Sequence, residues 1–293
     1  GKTLVLCPLS VIETAWMDDC KQFYPDLKII NCHGNTRKER LEALKTDSDI
    51  YVMNYDSFKI LKKEVLNPTV TKMVIDAPFV AKRAKAGQFI ILRVDEQGER
   101  IPLTIADSDA STGSVTIIFQ IVGKTTMLLN ELNEGDSLHD FVGPLGKPSE
   151  IEANEKVCVI GGGVGCAIAY PTAKAFHKAG ADVTTIAGFR NKDLVILEED
   201  FKEVSDAYYL MSDDGSAGEK GLVTNKLEEL ILNGEKFDRV IAIGPVIMMK
   251  FVCLTTKKYN IPTIVSMNPI MIDGTGMCGG CRLKVDGKMQ FAC

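Results

Sequence analysis

The run Val157-Cys-Val-Ile160 is continuously apolar, Gly161-Gly-Gly-Val-Gly165 follows it at once, and a helical pattern then runs from Ala167 to Ala179 before Gly180. That order is best met by a buried strand turning tightly into a helix. Further strand candidates at Val183 to Ala187, Tyr208 to Met211, Val240 to Ile243 and Thr263 to Val265 alternate with helical stretches. Such alternation predicts a parallel α/β sheet with helices on both faces.

Glycines between a strand and a helix let the backbone approach a phosphate, and the helix N-terminus supplies unpaired N–H groups. Gly161, Gly162, Gly163 and Gly165 are therefore candidate dinucleotide contacts, although the spacing departs from G-x-G-x-x-G and a tight turn alone also accounts for them. Three later segments strengthen the reading: Gly188-Phe-Arg190, Asp213-Asp214-Gly-Ser216 and Gly244-Pro245-Val-Ile-Met248. Each follows a predicted strand, at the end where open α/β sheets bind ligands. Arg190 suits a phosphate and equally a solvated surface charge.

From Lys59 to about Pro148 the texture differs. Met73-Val-Ile75, Phe89-Ile-Ile-Leu92 and Val115 to Val122 are short strand signals, and Asp95-Glu-Gln-Gly98 is a turn signal. Short strands at close spacing predict a small antiparallel barrel. Arg100-Ile-Pro102-Leu103-Thr104 puts a cation and a hydroxyl on one extended stretch, Gly123-Lys-Thr125-Thr126 offers small residues with open N–H groups, and Phe141-Val-Gly-Pro-Leu-Gly146 reads as a rigid turn. Together they suit a dinucleotide, with arginine on the pyrophosphate and a threonine hydroxyl near a flavin's reactive edge.

Asp273, Cys278, Cys281 and Cys293 are separated by four, two and eleven residues. The first two gaps match plant-type [2Fe-2S] spacing, with aspartate in the first position. Gly274, Gly276, Gly279 and Gly280 let such a loop turn sharply and bring N–H groups to the sulfurs. Half a zinc site and a redox dithiol compete with this reading, and the flanking glycines count against both, as does the lack of a second C-x2-C or a nearby histidine. Carboxylate is a harder donor than thiolate, so a plain turn aspartate stays open at Asp273. Cys7, Cys20, Cys32, Cys158, Cys166 and Cys253 stand singly among apolar residues, as small buried hydrophobes do. Nine cysteines with no export signal argue against a disulfide framework.

At 293 residues the chain has room for two or three compact units, and a net charge of -5 gives no global pull toward nucleic acid or anionic lipid. No membrane-length apolar run is present, so the expected setting is cytoplasmic.

Barrel, nucleotide domain and cluster loop, in that order, resemble the ferredoxin-NADP+ reductase superfamily over about residues 59 to 293. Within it the resemblance is to the electron-transfer subunits of dihydroorotate dehydrogenase. It is closest to the small (alpha) subunits of NADH-dependent reduced ferredoxin:NADP+ oxidoreductase, also known as sulfide dehydrogenase subunits. Arg100 to Thr104, Gly143-Pro-Leu-Gly146, Gly161 to Gly165, Asp213 to Ser216, Gly244-Pro245 and the Asp273, Cys278, Cys281, Cys293 set carry it. The resemblance implies FAD on the barrel, met by Arg100, Pro102, Leu103, Thr104, Phe119, Ile121, Gly123, Thr125 and Thr126, with Thr104 at the catalytic position. It implies NAD(H) or NADP(H) on Gly161, Gly162, Gly163, Gly165, Arg190, Asp214, Gly244, Pro245 and Met248. It implies a [2Fe-2S] cluster on Asp273, Cys278, Cys281 and Cys293; aspartate in the first place is itself a feature of the nearer subfamily. The implied chemistry is hydride transfer from nicotinamide to flavin, then single electrons through the cluster. The implied partner is a larger flavin and iron-sulfur subunit in a heterodimer, with ferredoxin reached through that complex and no nucleic acid or membrane contact.

Residues 1–58 have no place in that family. Short apolar runs alternate there with amphipathic stretches, Ile12 to Phe23 and Thr36 to Leu44, which predicts β-α-β-α-β. Leu4 to Val11, Trp16 and Tyr51-Val-Met-Asn-Tyr55 resemble part of the first motor domain of SNF2-type helicases. Gly1-Lys2-Thr3 leads straight into a strand rather than a helix, and no D-E-x-H motif follows, so no ATPase activity is expected. The expected units are residues 1–58, 59–150, 151–266 and 267–293, the whole chimeric and the last truncated at Cys293. Two alternatives stand beside the electron-transfer reading. One is a helicase-type ATPase fragment or nucleic-acid-binding module fused to an inactive reductase scaffold; the other is a cofactor-free scaffold whose glycine turns are merely structural.

Overall fold

A computed structural model of the chain describes residues 2–7, 11–33, 37–54, 58–285 and 287–293. The apolar runs near the N-terminus pair in parallel as β1 (Thr3–Cys7), β2 (Ile29–Asn31) and β3 (Ile50–Asn54), with β3 central. Ile12–Asp18 winds as a π-helix into α1 (Asp19–Phe23), and α2 (Arg37–Lys45) precedes β3. Cys7, Ile12 and Val52 are buried between these elements. The expected β-α-β-α-β order is present. Of the segments singled out in the sequence, Gly1, residues 8–10, Thr36 and Tyr55 lie outside the described residues.

Period-two patterning then builds one antiparallel sheet: β4 (Phe58–Asn67), β5 (Val70–Asp76), β6 (Phe89–Arg93), β7 (Ile101–Asp109), β8 (Ser114–Gln120), β9 (Ser137–Leu138) and β10 (Asp140–Leu145). Their order is β10-β6-β7-β8-β5-β4-β9. β9 and β10 sit at opposite ends of that order, yet only His139 separates them in the chain, so the sheet curls into a nearly closed barrel. Met73, Ile75, Ile90, Leu92 and Ile117 fill its interior. α3 (Pro78–Ala81) follows β5, and α4 (Lys124–Glu131) sends Leu129 into the core. Phe141 to Gly146 corrects the sequence reading of a rigid turn. All but its last residue belong to β10, which carries a cis Gly143–Pro144 bond and a register shift.

The second body is a parallel sheet of β11 (Lys156–Gly162), β12 (Asp182–Phe189), β13 (Ala207–Ser212), β14 (Glu219–Lys220), β15 (Arg239–Ile243) and β16 (Thr263–Val265), ordered β14-β13-β12-β11-β15-β16. On one face α5 (Gly165–Lys178) and α6 (Glu198–Glu203) share a core with the outer barrel residues Val70, Ala106 and Ile118. On the other, α7 (Val223–Leu232) and α8 (Val246–Lys258) cover Ile160, Ile186 and Val240. The chain ends in a hairpin, β17 (Arg282–Val285) and β18 (Lys288–Phe291). Among the described residues no helix is long and apolar enough to cross a membrane.

Candidate functional site

Directly paired residues of an antiparallel sheet point to the same face. Phe89 pairs with Leu145 and Thr104, Ile91 with Val142 and Pro102, and Arg93 with Asp140. Arg100, one residue before β7, continues the line, its Nη2 donating to Asp140 Oδ2 at 3.0 Å. One face thus carries three rungs, running from a charged end at Arg93, Arg100 and Asp140 to a threonine end at Thr104. Arg100 and Thr104 are four strand residues apart, ~13 Å. Thr104 is partly exposed, and its hydroxyl has no hydrogen-bond partner among the described residues.

Other barrel candidates stand elsewhere. Leu103 pairs with Ile90 on the opposite face and packs on the barrel core, Phe119 is 2% exposed within that core, and Ile121 rests against it. The side chains of Leu103 and Phe119 are thus taken up by packing. Near Gly123, Val122 N and Gly123 N both donate to Thr126 Oγ1 at 3.0 Å, while α4 starts at Lys124 and leaves the N–H groups of its first turn without intrahelical partners. Thr125 and Lys124 instead line a cavity of ≈ 540 Å³ facing the hairpin turn Asp95 to Glu99.

In the parallel sheet the predicted glycines do come together, at the switch point where the strand order reverses between β11 and β15. A Cβ on Gly162 would meet Met248 Sδ at 2.5 Å and Pro245 Cδ at 3.0 Å, and one on Gly165 would meet the Ile243 carbonyl at 2.5 Å. Gly161 and Gly244 are similarly hemmed in, by Cys166 and Met248. Only Gly163, at φ +56, faces open space, at the mouth of the turn that leads into α5. Arg190 is exposed just beyond β12. Asp214 Oδ1 takes Ser216 N at 2.9 Å and Ser216 Oγ at 2.6 Å, while its Oδ2 has no partner among the described residues. The Ser216 hydroxyl holds the Asp214 carboxyl below its ordinary range.

The cysteine-rich end folds as a loop closed by a hairpin. Ala292 N donates to the Cys281 carbonyl at 3.1 Å, and Cys281 Sγ and Cys293 Sγ lie 3.0 Å apart, which explains how an eleven-residue gap becomes a contact. Their hydrogen bond pulls the Cys281 thiol below its ordinary value and pushes Cys293 up. Asp273 accepts from Thr275 N at 2.8 Å through Oδ1 and from Cys278 N at 3.1 Å through Oδ2, and the Thr275 N–H chiefly holds its carboxyl down. Among the described residues no three donor side chains close on one point as a single ion would need; a two-iron cluster divides its ligands between two irons. The loop is seated on the barrel, because a Cβ on Gly274 would meet Phe89, Ile91 and Leu145 at 2.9 to 3.1 Å. Those three side chains lie on the face that carries Pro102 and Thr104.

Five of the six dispersed cysteines are buried, as expected. Burial pushes the Cys166 thiol up to about 12, and Cys158 is raised for the same reason, while Cys253 is only half-buried. Sequence reading missed Arg93, Asp140 and the Phe89-Ile91-Leu145 floor. Phe89 to Leu92 is continuously apolar, so no alternation there marked which side chains share a face.

The description "iron-sulfur cluster binding domain of dihydroorotate dehydrogenase B" matches residues 268–293, and that of an SNF2-related domain matches residues 1–88. Residues 58–76 of the latter stretch are strands of the barrel, so a helicase-type reading of the chain is not favoured. The chain is 49% identical over 235 residues to the dihydroorotate dehydrogenase B (NAD(+)) electron transfer subunit homolog of Thermotoga maritima, spanning 80% of this chain and 83% of that one. It is 31% identical over 239 residues to the electron transfer subunit of Streptococcus pneumoniae dihydroorotate dehydrogenase B (NAD(+)), spanning 80% and 91%. A solved structure of an NADH-dependent reduced ferredoxin-NADP oxidoreductase, studied for flavin-based electron bifurcation, superposes with a TM-score of 0.77 at 48% identity, covering 81% of this chain and 86% of that chain. Barrel, parallel sheet and cysteine loop together make this chain a member of the family of dihydroorotate dehydrogenase B electron-transfer subunits, oxidoreductase subunits of the ferredoxin-reductase fold.

Proposed function

We propose that the chain passes electrons between NAD(H) or NADP(H), FAD and a [2Fe-2S] cluster, and delivers them to a larger flavin and iron-sulfur subunit in a cytoplasmic heterodimer, with ferredoxin served through that complex. The observation that carries the reading is the seat of Gly274 on Phe89, Ile91 and Leu145, which brings the cysteine loop to the barrel face that bears Pro102 and Thr104. Arg100 binds the flavin pyrophosphate at the charged end of that face, and the Thr104 hydroxyl bonds the flavin at the other. The turn at Gly163 and the N-terminus of α5 take the nicotinamide dinucleotide's phosphates, with Arg190 as a second cation. Asp273, Cys278, Cys281 and Cys293 hold the cluster, and the loop N–H groups beside them tune it. Bound flavin supplies the exchange between two-electron and one-electron chemistry, and the cluster relays the single electrons.

Anaerobic purification followed by reconstitution is the test. Wild-type protein is expected to show flavin absorbance, an iron-sulfur EPR signal on reduction and nicotinamide-driven dye reduction. Cys281→Ser should lose the EPR signal and keep both flavin absorbance and dye reduction. Colourless wild-type protein after reconstitution would sink the reading.

A further inference from the structure

Two guanidinium groups stand side by side at the charged end of the barrel face, Arg93 at the end of β6 and Arg100 just before β7. Like charges opposite one another across strands repel. Asp140, the β10 partner of Arg93, resolves the conflict: its Oδ2 accepts from Arg93 Nε at 2.9 Å and from Arg100 Nη2 at 3.0 Å. The Asp140 side chain is 8% exposed, against 17% for Arg93 and 48% for Arg100. Arg93 also donates Nη1 to the Glu96 carbonyl at 3.0 Å, tying down the hairpin turn beside the ≈ 540 Å³ cavity. Arg100 gives only Nη2 to protein, so its remaining guanidinium donors have no partner among the described residues.

From this we infer that Asp140 is a positioning residue for the phosphate end of the flavin dinucleotide, a role that rests on reading this face as the FAD site. Two cations share one carboxylate. Arg93, the more buried, balances the charge of Asp140, and Arg100 is held in a single orientation while keeping its own charge available. An arginine fixed before its ligand arrives avoids the ordering cost that a free side chain meets on binding. Were Asp140 paired with Arg100 alone, the two charges would cancel and the rung would offer nothing to an anion.

The test compares FAD with riboflavin, which lacks the phosphates, as titrants of the full chain stripped of flavin, read by flavin fluorescence. Asp140→Asn keeps the shape and removes the charge; it should raise the Kd for FAD about tenfold and that for riboflavin by no more than about twofold. Arg93→Gln, which leaves Asp140 to neutralise Arg100, should produce the same split. It carries the test alone if Asp140→Asn does not fold. Equal losses for both titrants, or no loss of FAD affinity in a folded variant, would overturn the assignment and leave Asp140 a structural residue. Wild-type protein that takes up neither titrant overturns the flavin reading, and the role of Asp140 with it.

Discussion

Gly165, at the start of α5, and Gly276, in the loop after Ile272, need to be glycine for opposite reasons. At Gly165 the backbone is crowded from outside, with the Ile243 carbonyl 2.5 Å and the Gly244 Cα 2.7 Å from where a Cβ would stand. At Gly276 nothing lies within 4 Å, but the backbone sits at φ +85. Gly274 combines both demands, with φ +69 and three side chains in contact range. Gly165 is fixed by its neighbours in the sheet, whereas Gly163 beside it shares the open, positive-φ setting of Gly276. Gly276 is shaped by its own backbone, in a loop whose Gly274 is seated on the barrel. A nucleotide turn belongs to the fold, whereas a cluster loop is an attachment that its metal completes.

Substitutions grade this contrast. Gly165→Ala forces a Cβ against main chain that cannot rotate away, and should cost about 3 kcal/mol in denaturant unfolding along with nicotinamide binding; a loss under about 1 kcal/mol would break the comparison. Gly274→Ala should cost about 2 kcal/mol, but locally: iron per chain should fall while FAD content and the main unfolding midpoint hold. A fall in the midpoint as large as that of Gly165→Ala would mean that the loop is part of the fold after all. Gly276→Ala has only the backbone term, about 1 kcal/mol. Iron content should stay near wild type, and release to a chelator should quicken modestly. Unchanged release would show that the metal, not the backbone, sets this conformation.

What could be read in the sequence was local. The strand-glycine-helix order at Val157 to Ala179, the strand positions through Thr263 to Val265 and the spacing of Asp273, Cys278 and Cys281 all came from neighbours in the chain, and the elements fall where that patterning put them. What could not be read depended on residues far apart. Arg100, Arg93 and Asp140 meet because three strands fix a register, and period-two patterning gives a side chain's face without saying which strands adjoin. That the Phe119 side chain lies in the barrel core and that of Leu103 packs against it shows only once the barrel closes. Which N–H groups near Gly123 stay open depends on α4 starting at Lys124 and on Thr126 Oγ1 taking those of Val122 and Gly123. The first barrel strand, β4, gives no sign in the sequence of pairing with β9, more than seventy residues on.

Phe89 and Ile91 come from β6 and Leu145 from β10, so the resting place of Gly274 does not exist until those two strands have paired. The loop can therefore take its seat only on a chain in which β6 and β10 have paired. Machinery delivering iron and sulfide to a newly made chain would find a docked, half-shaped acceptor if the barrel had formed, and a floppy run of thiols if it had not.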